Sequence, residues 1–322
     1  MQKVLVTGGC GFIGSNFVRM LLNETDFEVV NLDLLTYAGN PKNLKDMQGN
    51  MNYKFIKGDI ADRKIVEKAL DGGVDTVFNF AAESHVDNSI KDASLFVHAN
   101  VLGVKNMVEC SMKSGVERFV QVSTDEIYGS VEKGSSKETD MLEPRNPYSA
   151  CKAGGELLAL SFFTTFGFDV VVTRSSNNYG PYQYPEKVIP LFATNLIEGK
   201  KVPLYGDGKN VRDWLHVDDN CRGILAVAKK GKKGEVYNIG GGNEVQNIDL
   251  TMKILELMGK GKDSIQQVED RKGHDRRYSL DSSKAKALGW KPEKNFDDGL
   301  AETVQWYKKN EWWWRPLKGG AH

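Results

Sequence analysis

KVLVTGGCGFIG, residues 3–14, is the stretch from which the fold class is read. KVLVT is a β-branched apolar run of strand length, and Gly14 to Asn23 carries a helical pattern. Between them the glycines admit two readings, GxGxxG through Gly9, Gly11 and Gly14, or GxxGxxG through Gly8, Gly11 and Gly14. Either way the turn lets the backbone of Gly8, Gly11, Phe12, Ile13 and Gly14 approach a diphosphate at a helix N-terminus. The next strand, EVVNLD, ends at Asp33, about 20 residues on, where a carboxylate can accept from ribose hydroxyls. An acid there repels a 2′-phosphate, which favours NAD over NADP.

Outward from this unit the alternation continues. YKFIKGDI, DTVFNFAA, RFVQVST and FDVVVTR are further strand runs with helical patterns between them. Continuous Val/Ile/Phe runs suit strands buried on both faces, so the expected class is α/β, a doubly wound parallel sheet of Rossmann type. Beyond Tyr179 the regularity fades into NNYGPYQYPEK and YGDGKN, with one more strand in GEVYNIGG and a helix in DLTMKILELMG. The expected division is a dinucleotide-binding domain over 1–179, with 211–241 returning to it, and a smaller mixed α/β ligand-binding region over 180–322. The WWW of residues 312–314 is expected to pack or to meet a subunit, a ligand platform being the alternative.

Composition narrows the function. Among 322 residues, 43 are acidic and 43 basic, so no global charge invites nucleic acid or a membrane surface, and a phosphate-bearing ligand needs local donors. No apolar run is long enough to span a bilayer, and MQKVLVTGG is a strand-like start rather than a signal peptide. Cys10, Cys110, Cys151 and Cys221 lack CxxC spacing, so reduced thiols in a cytoplasmic protein, with no zinc or other metal, are expected.

Two further strand ends face the same crevice: Asp59 and Ile60, a plausible adenine contact, and Phe80, Ala81 and Ala82, whose small residues let a cofactor lie against the backbone. The chemical signal is Tyr148-Ser-Ala-Cys-Lys152, since residues four apart share one helix face. A phenol with an ordinary pKa near ~10 is a poor base at neutral pH; a neighbouring ammonium favours its phenolate. Tyr148 can then take a proton from a sugar hydroxyl while hydride leaves the same carbon. VQVSTDEIYG puts Thr124, Asp125 and Glu126 at a strand C-terminus, where α/β sheets bind ligands. Adjacent carboxyls in a crevice are costly unless one holds a proton, which suits one group that donates a proton and one that removes one. As isolated features, a helix pair and two solvent-facing acids capping a turn remain open.

Taken together, these residues resemble the extended short-chain dehydrogenase/reductase family over essentially the whole chain, and within it the dTDP-glucose 4,6-dehydratases. The matching stretches are TGGCGFIG, LTYAGN (35–40), AAESHVD (81–87), VSTDEIYG, YSACK, SSNNYGPYQYPEK (175–187), RDWLHV (212–217) and DRKGHDRRY (270–278). Related epimerases and decarboxylases keep the glycines and YxxxK but generally lack the Asp-Glu pair. The resemblance implies that Tyr148 deprotonates the sugar 4-hydroxyl with Lys152 assisting and Thr124 orienting, while Glu126 takes the C5 proton and Asp125 protonates the departing 6-hydroxyl. It assigns Ser84, Thr124, Asn177, Lys187, Val188, Tyr205, Arg212, Asn247, Arg271 and His274 to the nucleotide sugar, and Asn178 to NAD. A homodimer through helices near 93–114 and 147–166 is likewise implied. Arg276 and Arg277 can be a solvated charge run, and His85 and His216 are expected to be structural. Two positions depart from the family pattern: Asn88 stands where arginine is usual, and Ala99 where threonine is common.

Overall fold

The β-branched runs form strands. The structure, a computed structural model, describes residues 2–270 and 274–319. Its strands, in chain order, are β1 (Lys3–Thr7), β2 (Glu28–Asp33), β3 (Tyr53–Lys57), β4 (Thr76–Asn79), β5 (Arg118–Thr124), β6 (Val170–Ser175), β7 (Asn177–Tyr179), β8 (Val202–Tyr205), β9 (Val211–His216), β10 (Val236–Ile239), β11 (Glu244–Gln246) and β12 (Ile265–Val268). Seven of them make one sheet in the order β10-β6-β5-β4-β1-β2-β3, every pair parallel. The chain therefore winds outward from β1 to β3 on one side and from β4 to β6 on the other. The switch between β1 and β4 leaves a crevice at the strand C-termini, where doubly wound sheets bind dinucleotides.

Strand alternation assigns the core. Val4 and Val6 face one side of β1 and pack with Phe17, Val18 and Leu21 of the helix Phe12–Glu24 and with Ile224 and Val227 of the helix Val217–Lys230. Leu5, between them, faces the other side and packs with Val66, Met107, Val108 and Ala159 from three further helices. Both faces are thus covered, as the unbroken apolar runs predict. A side chain such as Leu5, fully buried, contributes about 1.5–3 kcal/mol relative to an exposed one.

The remaining strands form two small sheets, β11-β9-β7 and β12-β8. With the helices Val188–Ile197, Asn247–Leu257 and Phe296–Lys309 they enclose a second core around Tyr179, Phe192, Trp214, Ile254 and Leu300. β10 returns to the main sheet beside β6. The tryptophans divide: Trp313 and Trp314 are buried, with Trp313 Nε1 donating to Asn43 Oδ1 at 2.7 Å and Trp314 Nε1 to the Tyr307 carbonyl at 2.8 Å, while Trp312 is half exposed. Two of the three therefore pack. No helix among the described residues is long and apolar enough to cross a membrane, and no described cluster of His, Cys, Asp or Glu could hold a metal ion.

Candidate active site

A cleft of about 780 Å³ opens along the C-terminal ends of β1, β2, β4 and β5, within the size range of small-molecule sites. Its floor is the first glycine turn. Gly8 has φ +67°, and a Cβ there would lie 2.7 Å from the Ala81 nitrogen. A Cβ on Gly14 would overlap the Gly8 carbonyl oxygen. These two glycines are required by the close approach of the β1 turn, the helix start and the β4 exit. Gly11 is less constrained, with only the Gly8 carbonyl oxygen at 3.2 Å. Thr7 stitches the same junction: its hydroxyl donates to Asn79 Oδ1 at 2.6 Å and accepts from the Ala81 nitrogen at 3.2 Å.

The other dinucleotide candidates line this cleft. Asp33 is buried, and its two oxygens accept from the Leu35 and Cys10 nitrogens at 2.7 and 2.8 Å. Burial pushes its carboxyl up while those two donors pull it down. Asp59 accepts from the Ala61 nitrogen at 2.8 Å and meets His98 Nε2 at 2.8 Å. Phe12, Ile13, Ile60, Phe80, Ala81, Ala82 and Asn178 complete this part of the wall. The fit to a dinucleotide rests on two observations. Side chains are excluded by the backbone cradle at Gly8 and Gly14. Buried polar atoms on the cleft wall also have no partner among the described residues: Ser123 Oγ, Asp125 Oδ2, Asn177 Oδ1, Asn178 Oδ1 and Gln183 Oε1. Buried orphans are costly unless a ligand or water meets them.

The five catalytic candidates converge on one stretch of the same wall. Thr124 ends β5 and caps the short 3₁₀ turn Asp125–Tyr128, its hydroxyl accepting from the Glu126 nitrogen at 3.3 Å. Tyr148 and Lys152 sit on the helix Pro147–Phe166, which a capping box of Asn146 and Ser149 starts and Gly167, at φ +71°, ends. Burial pushes Asp125 well above the ordinary carboxylate range, with the Glu126 and Asp213 charges adding to the effect. Glu126 is also raised by burial, but Arg212 and Lys187 oppose that rise. The two neighbours therefore differ: the charges around Asp125 add to its rise, whereas Arg212 and Lys187 counter it at Glu126.

Tyr148 behaves differently from the simple expectation. Burial and the Glu126 charge raise its phenol, with a hydrogen bond to Thr124 acting the other way. Lys152 Nζ donates to the Val122 carbonyl at 2.7 Å, and burial brings its ammonium down to about 8, opposed by Glu156. Lysine and tyrosine share a helix face, and burial is the largest influence on each. A cation bound beside the phenol would favour its phenolate.

Of the substrate-side candidates, Ser84, Asn177 and Lys187 line the cleft with Thr124, and Lys187 Nζ donates to the Ser84 carbonyl at 3.1 Å. Val188, Tyr205, Arg212, Asn247 and His274 are not on its wall. Apart from Val188, which begins a helix, they gather around the adjoining β8–β9 loops. The Asn247 nitrogen donates to the Asn210 carbonyl at 2.9 Å, and Asn210 Nδ2 and Arg212 Nη2 each reach the Asp275 carbonyl at 3.0 Å. Arg212 is buried, lies 4.3 Å from the Tyr278 ring centroid, and bears on Glu126 through its charge. His274 Nδ1 meets Asp270 Oδ1 at 2.6 Å, and Arg271 lies outside the described residues. Arg276 and Arg277 are ion-paired, with Asp207 and Glu244. His216 caps the helix Val217–Lys230, and His85 caps Val86–Lys91. Asn88 and Ala99, the departures, both line the cleft.

Sequence reasoning assigned no role to Tyr37, Glu83, His98 and Glu186, which also line the cleft. The Tyr37 hydroxyl donates to Glu186 Oε1 at 2.9 Å, joining the loop after β2 to the loop before helix Val188–Ile197 across 149 residues. No periodicity signals such a contact. Its one trace is that both ends fall in the stretches LTYAGN and YPEK that carry the family resemblance.

A family model described as GDP-mannose 4,6 dehydratase matches residues 5–303. The chain belongs to this family. It is 53% identical to a dTDP-glucose 4,6-dehydratase of Streptomyces griseus, covering 98% of this chain and 96% of the relative. DesIV, a dTDP-glucose 4,6-dehydratase of Streptomyces venezuelae solved with NAD bound, superposes with a TM-score of 0.96 at 52% identity, covering 98% of this chain and all of that one. A UDP-glucose 4-epimerase of Thermus thermophilus, also solved with NAD, reaches 0.89 at 32% identity, covering 96% of this chain and all of that one. The fold is shared by both activities, whereas the sequence lies nearer the dehydratases.

Proposed function

We propose that the protein is an NAD-dependent 4,6-dehydratase that converts dTDP-glucose to its 4-keto-6-deoxy derivative, releasing water. The observation that carries this reading is the Asp125–Glu126 pair beside Tyr148 on the cleft wall, Asp125 buried and Glu126 partly so, an acid and a base where an epimerase needs neither. The relatives' printed activity and the NAD bound in DesIV support the same conclusion.

NAD, when bound, would supply the acceptor for hydride from the sugar C4 and its return to C6. Tyr148 takes the proton of the 4-hydroxyl, oriented by Thr124 and assisted by the Lys152 ammonium. The resulting ketone acidifies C5, from which Glu126 removes a proton. Asp125 protonates the 6-hydroxyl so that it leaves as water, and Glu126 returns its proton to C5. The raised Asp125 carboxyl and the cations opposing that rise at Glu126 support this order of roles. NAD rests on Gly8, Gly11, Phe12, Ile13 and Gly14, with Asp33 on the ribose, Asp59 and Ile60 at the adenine, and Phe80–Ala82, Asn178, Tyr148 and Lys152 toward the nicotinamide. Ser84, Asn177, Lys187, Val188, Tyr205, Arg212, Asn247, Arg271 and His274 take the nucleotide sugar. Residues 1–179 with 211–241 thus serve the cofactor, and 180–322 mainly the substrate. Exposed Leu95, Val97, Leu102, Leu157 and Phe166 on the helices between 93 and 166 support a homodimer through that face.

The test is incubation of the purified protein with dTDP-glucose and mass spectrometry of the product. A product lighter by one water is expected. A product of unchanged mass would make the protein a 4-epimerase, and loss of carbon dioxide from a uronic acid substrate a decarboxylase.

A further inference from the structure

Behind the cleft wall, Tyr148, Lys152 and Glu156 stand four residues apart on one helix and share its face. Glu156 is fully buried and Arg174, on β6, nearly so. Arg174 Nε lies 3.0 and 3.2 Å from the two Glu156 oxygens, and Nη2 adds a second contact. Arg174 Nη1 donates to the Tyr128 hydroxyl, and the guanidinium lies 4.7 Å from the Tyr128 ring centroid. The Tyr128 hydroxyl donates in turn to Asn238 Oδ1 at 2.8 Å. Tyr128 ends the turn that carries Asp125 and Glu126. A buried ion pair is poor value as a source of stability, since desolvation offsets most of its attraction. What distinguishes this one is its position, one helical turn beyond Lys152 and bonded to the acid-bearing turn.

We propose that Glu156, Arg174 and Tyr128 are positioning residues that lock the Tyr148–Lys152 helix face to the Asp125–Glu126 turn, Glu156 acting on Lys152 and Tyr128 on the two acids. This rests on the dehydratase reading. The titratable groups around Lys152 are Tyr148 and Glu156 on its own helix, Asp125 and Glu126 on the turn after β5, and Arg174 on β6. From the segment His98–Gly103 the helix receives the Asn100 carbonyl, at Gly155, rather than a charge. Glu156, one helical turn from Lys152 on the same face, acts against desolvation of the ammonium, while Arg174 ties Glu156 to Tyr128.

The experiment compares wild type with Glu156→Gln in two readouts. One is the pH profile of kcat for dehydration. The other is competitive labelling with acetic anhydride across pH, read by peptide mass spectrometry, which titrates Lys152 without turnover. In the variant both the alkaline limb and the labelling midpoint should move down by about one pH unit, making the rate on that limb about tenfold lower. Tyr128→Phe should slow water loss in a single turnover while leaving the Lys152 midpoint in place. A folded Glu156→Gln whose rate falls equally at every pH, with limb and midpoint unmoved, overturns the proposal and leaves Glu156 a packing residue. If that variant does not fold, Tyr128→Phe decides instead: unchanged single-turnover water loss in it overturns the proposal. If wild type makes no lighter product, the dehydratase reading fails, and the labelling midpoint still decides the claim on Lys152.

Discussion

Replacing Gly8 with alanine introduces two costs that add. At φ +67° an L-residue gives up about 1 kcal/mol or more against glycine. The new methyl would also lie 2.7 Å from the Ala81 nitrogen, 2.8 Å from its Cα and 3.0 Å from the Phe80 carbonyl carbon. All three are backbone atoms, so no side chain can rotate away. Relief requires the β4 exit to move off the β1 exit. That movement strains two bonds already at 3.2 Å, from the Phe80 nitrogen to the Thr7 carbonyl and from the Ala81 nitrogen to the Thr7 hydroxyl, each contributing about 0.5–1.5 kcal/mol. The sum is about 2–4 kcal/mol of lost stability. Urea unfolding measures it, and calorimetric titration with NAD measures the accompanying loss of affinity, since the displaced residues form the cleft floor. Gly11→Ala is the control: its φ is −77° and its one close neighbour lies at 3.2 Å, so a loss under about 1 kcal/mol is expected. A Gly8→Ala protein that unfolds with wild type and binds NAD equally well would refute the close approach on which the cofactor assignment depends.

Three other outcomes follow from the site. Tyr148→Phe should abolish C4 oxidation, seen as no near-ultraviolet absorbance of reduced cofactor on mixing with substrate, while the thermal unfolding transition stays in place. Asp125→Asn with Glu126→Gln should still oxidise C4 slowly but stall before water loss, so a 4-keto hexose rather than a lighter product appears in a quenched single turnover. Asp125→Asn alone should raise Tm by roughly 2–4 °C at neutral pH. The folded carboxyl is raised above its ordinary value near 3.8, so the folded state binds more protons than the unfolded state above that pH, and the acid's penalty grows as pH rises. The gain from asparagine should therefore be small near pH 3–4 and largest where the wild-type carboxyl would otherwise be forced to ionise.

The sheet was legible because its signals are local. Val4, Leu5 and Val6 alternate between two helical layers, Gly8 and Gly14 sit where any side chain collides, and Tyr148 and Lys152 share a face by helical geometry alone. The places of Asp33, Asp59 and Ala81 on the cleft wall followed from the rule that ligands meet the carboxyl ends of parallel strands. The fate of the tryptophans was partly legible: burial of large aromatics was the expectation, but which two of three would pack depended on Asn43 and Tyr307 being within reach.

Residue identity and spacing by themselves determined the fold class, the cofactor groove and the chemical cast, because each depends on contacts within a turn or along one strand. The tertiary structure alone decided which charges bear on each acid. Asp125 and Glu126 are neighbours in sequence, yet Asp213 adds its charge to one while Arg212 and Lys187 oppose burial at the other. Likewise Arg174 finds Glu156 across the helix–sheet interface, and Tyr37 finds Glu186 across the cleft. A pKa is set by burial and by charges brought close from distant parts of the chain, and neither quantity exists until the chain has folded.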